Sequence, residues 1–147
     1  MTEIAFHVNA PDKLAYACRL LRKAAGTGNR VLVTGTPEQL AQLDTNLWSF
    51  SALEFVPHCR DDAPESVVRH SPVLLAAQGD RTYADRQVRV HLGGPISGAP
   101  DAFERVIEVV GQDEQDRRDA RSRWKQYLAA GFTPSHHDIT AGGRPNA

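Results

Sequence analysis

The sequence predicts an α/β fold with a parallel sheet and right-handed crossovers, and three observations carry that prediction. Strand and helix patterns alternate through the first 50 residues. Val31-Leu32-Val33 is a continuous apolar, largely β-branched run, the kind of strand that is covered on both faces. The 147-residue chain is 41% hydrophobic and 24% charged, enough for one buried core and too short for two of ordinary size.

The elements follow in order. Glu3 to Val8 reads as a strand, with Ile4, Phe6 and Val8 alternating on one face. Asn9 or Ala10 caps the next helix, with Pro11 in its first turn and Asp12 at the positive end of the helix dipole. Leu14, Ala17, Cys18, Leu21 and Ala25 form its buried stripe, and Gly26-Thr27-Gly28 ends it. Thr36-Pro37-Glu38-Gln39 has the form of a capping box and opens a second helix edged by Leu40, Leu43 and Leu47. Residues 49–70 are irregular, interrupted by Pro57, Pro64 and several acids. Val73 to Ala77 and Val88 to Leu92 are strand candidates joined by a polar connector. Pro100 to Glu104 begins a short helix. Val106 to Val110 reads as the last strand, although Phe103, Val106, Ile107 and Val110 also fit a helical period. Asp113 to Ala130 is a long helical segment without Gly or Pro, closed by Gly131. Residues 1–132 are expected to form the domain. Residues 133–147, rich in Pro, Gly, Ser and His, are expected to form a loose tail.

Several chemistries find no support. Seventeen Lys plus Arg against eighteen Asp plus Glu argue against coating nucleic acid by bulk charge. Two cysteines, Cys18 and Cys59, cannot build a disulfide framework, and reduced thiols in a cytoplasmic protein are expected. No basic n-region precedes an apolar run, and no stretch reaches 18 apolar residues, so neither export nor a membrane is expected. The first βα turn carries no glycine, and Val33-Thr34-Gly35-Thr36-Pro37 has one glycine and no lysine, so no nucleotide loop is present. Gly93-Gly94-Pro95 places a proline where a phosphate cradle needs an N–H donor. The six histidines show no zinc spacing: His136-His137 point apart in any regular element, and His58-Cys59 has no second pair. Neither cofactor nor metal is expected. A nucleophile pair of Cys59 with a distant histidine stays open, without an elbow or oxyanion hole to support it.

The long final helix is the informative element. Arg117, Arg121 and Lys125, spaced by four, share one face, and Arg118 extends the band. Trp124 and Leu128 sit where this basic stripe meets the core-facing edge. From Asp113 to Lys125 five cations accompany four acids, so the charge is sorted by face rather than in excess. Two readings follow. Either the face is solvated, its arginines paired with Asp113, Glu114 or Asp116, or it docks an acidic peptide with an apolar end. A second cluster, Leu47, Trp48, Phe50, Leu53, Phe55 and Val56, either folds onto the core or forms a patch that receives a partner subunit.

Taken together, Leu43-Asp44, Leu47-Trp48, Phe55-Val56-Pro57-His58, Arg121-Ser122-Arg123-Trp124-Lys125-Gln126-Tyr127 and Ala130-Gly131-Phe132 resemble the chi subunit family of bacterial DNA polymerase III holoenzyme. The resemblance spans residues 3–132. It implies a Rossmann-like three-layer sandwich without nucleotide loops, and a non-catalytic accessory role within a DNA-directed DNA polymerase assembly. It also implies a link between the clamp loader and single-stranded DNA-binding protein, made by gripping that protein's acidic C-terminal tail, which ends in Pro-Phe; contact with DNA is then indirect. The family's tail-binding positions fall on Arg117, Arg121 and Lys125, with Trp124 as the aromatic wall; Leu128 is added here as the second wall of the slot. Tyr is common in the family where this chain has Trp124, which reshapes the pocket. The resemblance further implies a psi subunit as partner, for which Leu47, Trp48, Phe50, Phe55 and Val56 are the candidate surface, and in some bacteria an iron–sulfur helicase that competes with psi. The rival readings are a small nucleotide-binding α/β enzyme and a direct single-stranded DNA binder.

Overall fold

A computed structural model describes residues 2–49, 56–77, 86–96 and 100–140. Seven parallel strands form one sheet: β1 (Glu3–Ala10), β2 (Val31–Thr34), β3 (His58–Arg60), β4 (Val73–Leu75), β5 (Val88–His91), β6 (Arg105–Gly111) and β7 (Ser135–Asp138). Their order across the sheet is β3-β4-β2-β5-β6-β1-β7, and every pairing is parallel. The helices are α1 (Lys13–Gly26), α2 (Pro37–Ser49), α3 (Glu65–His70) and α4 (Glu114–Ala129), with a 3-10 turn at Pro100–Ala102.

The two-residue period of the strands sorts the core into two layers. Val31, Val33, Val73, Leu75, Val90, Ile107 and Val109 face Ala17 and Leu21 of α1 and Leu40, Leu43 and Leu47 of α2. Ile4, Phe6, Leu32, Leu74, Val106 and Val110 face Ala120 and Tyr127 of α4 on the other side. This is the parallel α/β fold that the alternating elements predict, in the three-layer form that the resemblance implies.

Local signals explain most boundaries. The capping box at the start of α2 is reciprocal: Gln39 N donates to Thr36 Oγ1 at 3.2 Å, and Thr36 N donates to Gln39 Oε1 at 3.0 Å. The cap of α1 is Asp12 rather than Asn9 or Ala10, its side chain accepting from Ala15 N at 3.1 Å. The reason is that β1 runs on to Ala10, through a register irregularity after His7, with Asn9 in the left-handed region at φ 67°. Asn tolerates that conformation better than other side-chain-bearing residues. Residues 106–110 are strand, because β6 lies between β5 and β1 and pairs with both. Gly131, at φ 93°, follows α4.

Two strands were not legible in the sequence, and both are sheet edges. β3 reads His-Cys-Arg and β7 reads Ser-His-His-Asp. An edge strand needs pairing on one side only and carries no requirement for an apolar run. The loose segment expected from Thr133 onward therefore begins as a strand paired with β1, Ala5 opposite Ser135 through Val8 opposite Asp138.

Candidate functional site

β1 and β6 end beside the first half of α4, and β7 closes the far side. Between them lies an open cleft of about 670 Å³. Phe6, Val8 and Val110 from the strands and Ala120 from α4 make its apolar floor, and Arg117, Arg121 and Lys125 line its α4 side beside Trp124. His136 and Asp138 of β7 and Asn9 line the other side. Trp124 is half-buried. Its ring packs on Phe6 with centroids 5.0 Å apart at 60°, and Phe6 in turn meets Tyr127 edge-on at 5.8 Å. The indole is thus held by the core while it lines the cleft.

The charges on α4 divide by role. Asp113 caps the helix, accepting from Asp116 N at 3.1 Å. Asp116 receives Lys13 Nζ at 2.8 Å and Gly111 N at 2.7 Å, tying α1, β6 and α4 together where the cleft begins. Glu114 meets Arg118 at 3.5 Å and Arg121 at 3.6 Å. These side chains are more than half exposed, so each contact is worth a few tenths of a kcal/mol. Among the described residues Arg117 and Lys125 make no ion pair within 4 Å. The stripe is therefore open to a ligand, apart from one loose contact at Arg121.

α4 is fastened by a network that the sequence pattern conceals. Glu108, fully buried on β6, accepts from Arg123 Nε and from the Tyr127 hydroxyl, each at 2.8 Å. His91 lies opposite Glu108 on β5, and Thr34 lies opposite His91 on β2. Thr34 Oγ1 lies 2.7 Å from His91 Nδ1 and accepts from Arg89 Nε at 3.1 Å. His91 Nε2 donates to Gly94 O at 3.0 Å, the tautomer that bond requires. Arg89 also sits 5.9 Å from the centre of the Phe103 ring. Burial lowers the pKa of Arg89 and of His91, with Glu108 opposing the shift. It raises that of the Tyr127 hydroxyl, where the Glu108 charge adds to the effect. One carboxylate thus holds two residues of α4 against the sheet. Arg123 stands inside the basic run of the sequence, yet it is buried and turned away from the cleft.

Four of the five residues expected at a tail-binding site meet in the cleft: Arg117, Arg121, Trp124 and Lys125. Leu128 does not line it. It is 49% exposed and lies on the last turn of α4, beyond Trp124 and Lys125, the last residues of the helix that line the cleft. Of the partner-surface candidates, Leu47 and Val56 belong to the core, and Phe50 and Phe55 lie outside the described residues. Trp48 remains, 66% exposed, with its ring against His58 at 5.3 Å. His58 is fixed by Asp44 Oδ1 at 2.8 Å and Val56 O at 2.7 Å. Sequence reasoning missed the floor residues Phe6, Val8, Val110 and Ala120, whose apolar character gives no sign beyond that of a core position. It also missed the far wall of Asn9, His136 and Asp138, because the polarity of β7 hid the strand.

Among the described residues no group of three or more His, Cys, Asp or Glu could hold a metal ion, and no helix is long and apolar enough to cross a membrane. Both cysteines are free, Cys18 buried and Cys59 half-buried. Fold and site together define an α/β protein of the parallel, helix-covered type whose distinctive feature is a cation-lined, aromatic-walled cleft at the carboxyl ends of its strands.

Comparison with known proteins gives the family. Residues 1–135 match the family model for the DNA polymerase III chi subunit, HolC. The chain is similar to the DNA polymerase III subunit chi of Pseudomonas aeruginosa, at 31% identity over 146 residues, 95% of this chain and 98% of that one. It is also similar to that of Escherichia coli, at 31% over 116 residues and 78% of each chain, and to that of Haemophilus influenzae, at 27% over 124 residues, 84% and 85%. The chain belongs to the DNA polymerase III chi subunit family, and its role lies in DNA replication. Among solved structures, the C-terminal domain of the DEAD-box protein Dbp5 of S. cerevisiae superposes with a TM-score of 0.62 at 11% identity, covering 95% of this chain and 92% of that one, a likeness of fold alone.

Proposed function

We propose that this chain is a non-catalytic adaptor of the replication machinery in the cytoplasm, and that its cleft grips the acidic C-terminal tail of single-stranded DNA-binding protein. The observation that carries this reading is the meeting of Arg117, Arg121, Lys125 and Trp124 around one cleft with an apolar floor. The cations attract carboxylates and raise the association rate. The floor of Phe6, Val8, Val110 and Ala120 beside Trp124 takes the terminal phenylalanine, whose burial supplies most of the affinity. Ala120 matters by its size, since a larger side chain there fills the floor. A short peptide held in this way binds with a Kd of roughly micromolar order, weakened by salt. Titration with an acidic peptide ending in Pro-Phe, against the same peptide lacking the Phe, tests this. Binding of the first and at least tenfold loss with the second is expected; equal binding of both rejects the slot.

The same reading gives the chain a second surface, through which the psi subunit, or an iron–sulfur helicase in its place, ties it to its assembly. The exposed indole of Trp48, braced by His58, supports this. Trp48→Ala is expected to abolish co-purification with psi while leaving tail binding intact. Retained co-purification places psi elsewhere.

A further inference from the structure

The cleft has a second wall that the basic helix does not account for. β7 is a parallel edge strand whose register sets His136 beside Phe6 and His137 beside His7. Successive side chains of a strand point to opposite faces. His137 accordingly turns to the α1 side, its ring 5.6 Å from that of His7. His136 turns to the α4 side, where it lines the cleft opposite Arg117, Arg121 and Lys125. We propose that His136 is a specificity-determining contact of this site, the group that receives a ligand carboxylate from the β7 side and makes capture of an acidic peptide stronger as its imidazole protonates. The inference rests on the reading of the cleft as a site for an acidic peptide.

The surroundings of His136 support the assignment. The charged groups that face it are the three cations of α4 and, on its own strand, Asp138. β1 presents the apolar Ile4, Phe6 and Val8 on that side, with Asn9 beyond. Asp138 accepts from Thr140 N at 2.9 Å, from Thr140 Oγ1 at 2.7 Å and from Asn9 Nδ2 at 3.4 Å, which directs its carboxylate to the end of the strand. His136 is exposed, so its ring is accessible from the open cleft. A carboxylate bound between α4 and β7 is attracted by a protonated imidazole, so ligand binding and protonation of His136 favour each other. A ligand of several carboxylates can then be held from both sides at once, which α4 alone does not provide.

The test titrates a fluorescent acidic peptide ending in Pro-Phe into the full chain at pH 6 and pH 8 at fixed ionic strength. The peptide carboxylates stay ionised at both values. The wild-type protein is expected to bind roughly fivefold tighter at pH 6, the size of one exposed charge pair. His136→Gln is expected to match wild type at pH 8 and to lose the pH 6 gain. His136→Lys, which carries its charge throughout, is expected to bind at both pH values with about the wild-type affinity of pH 6. His137→Gln, altered on the opposite face, keeps the wild-type response. A pH gain that survives in His136→Gln, or its absence from the wild type, overturns the assignment to His136 while the cleft remains a peptide site. No binding by the wild type at either pH overturns the peptide reading itself.

Discussion

Replacing Glu108 with alanine removes the buried carboxylate that holds Arg123 and Tyr127 of α4 against the sheet. The perturbation acts on three groups. Arg123 Nε and the Tyr127 hydroxyl each lose an acceptor at 2.8 Å, and Arg89, on the same face of the sheet, loses the nearby opposite charge. All are nearly inaccessible to solvent, so water cannot replace the lost carboxylate. Breaking a buried pair from one side costs about 3–5 kcal/mol, and an orphaned buried hydroxyl about 1–3 kcal/mol. The two overlap within one network, so about 4 kcal/mol is expected in total. For a chain of this length that corresponds to a fall in Tm on the order of 12 °C. Urea unfolding followed by circular dichroism measures the loss directly. Glu108→Gln, which keeps an acceptor but not the charge, is expected to lose about half as much. A loss below about 1 kcal/mol for Glu108→Ala refutes the reasoning, because the bonds of Arg123 and Tyr127 to Glu108 then contribute little to holding α4.

Two further predictions concern stability. Thr36→Ala removes the Oγ1 acceptor of Gln39 N, the side-chain arm of the capping box at α2, and leaves the backbone N–H arm to Gln39 Oε1 in place. It is expected to cost about 1 kcal/mol by urea unfolding; no loss means that the Oγ1 arm adds nothing to the helix start. Burial, aided by the charges of His137 and Arg105, lowers the His7 pKa from 6.5 to about 4. The unfolded chain therefore takes up a proton before the folded one does. Stability attributable to His7 is full above pH 6.5 and falls as pH drops from 6.5 to 4, by up to about 3 kcal/mol. His7→Gln is expected to flatten the stability-against-pH curve in that window, and an unchanged slope contradicts the burial argument.

Much of this protein was legible in its sequence wherever burial forces a pattern. Val31-Leu32-Val33 had to be a central strand, because no water-facing element tolerates that run. Thr36 and Gln39 announce the helix that they cap. The basic stripe is legible because side chains spaced by four share a helix face, and the cleft gathers Arg117, Arg121 and Lys125 as that spacing requires. The polar core was not legible. Arg89, His91 and Glu108 alternate with apolar neighbours as solvent-facing residues do, and only the juxtaposition of β2, β5 and β6 with α4 makes them partners. Arg123 was hidden among surface arginines for the same reason. β7 was hidden because an edge strand can be polar, and with it the far wall of the cleft. Leu128 was misplaced because a helical wheel gives direction around the axis but not position along it.

The central claim is that the basic face of α4 is a binding surface rather than a solvated one. Titration of the Pro-Phe-ended acidic peptide into Arg121→Ala and Lys125→Ala, alongside thermal unfolding of both, tests it most directly. The account predicts several-fold weaker binding in each variant, deepening in their combination, with Tm unchanged because both side chains are exposed. Wild-type affinity in both variants contradicts it.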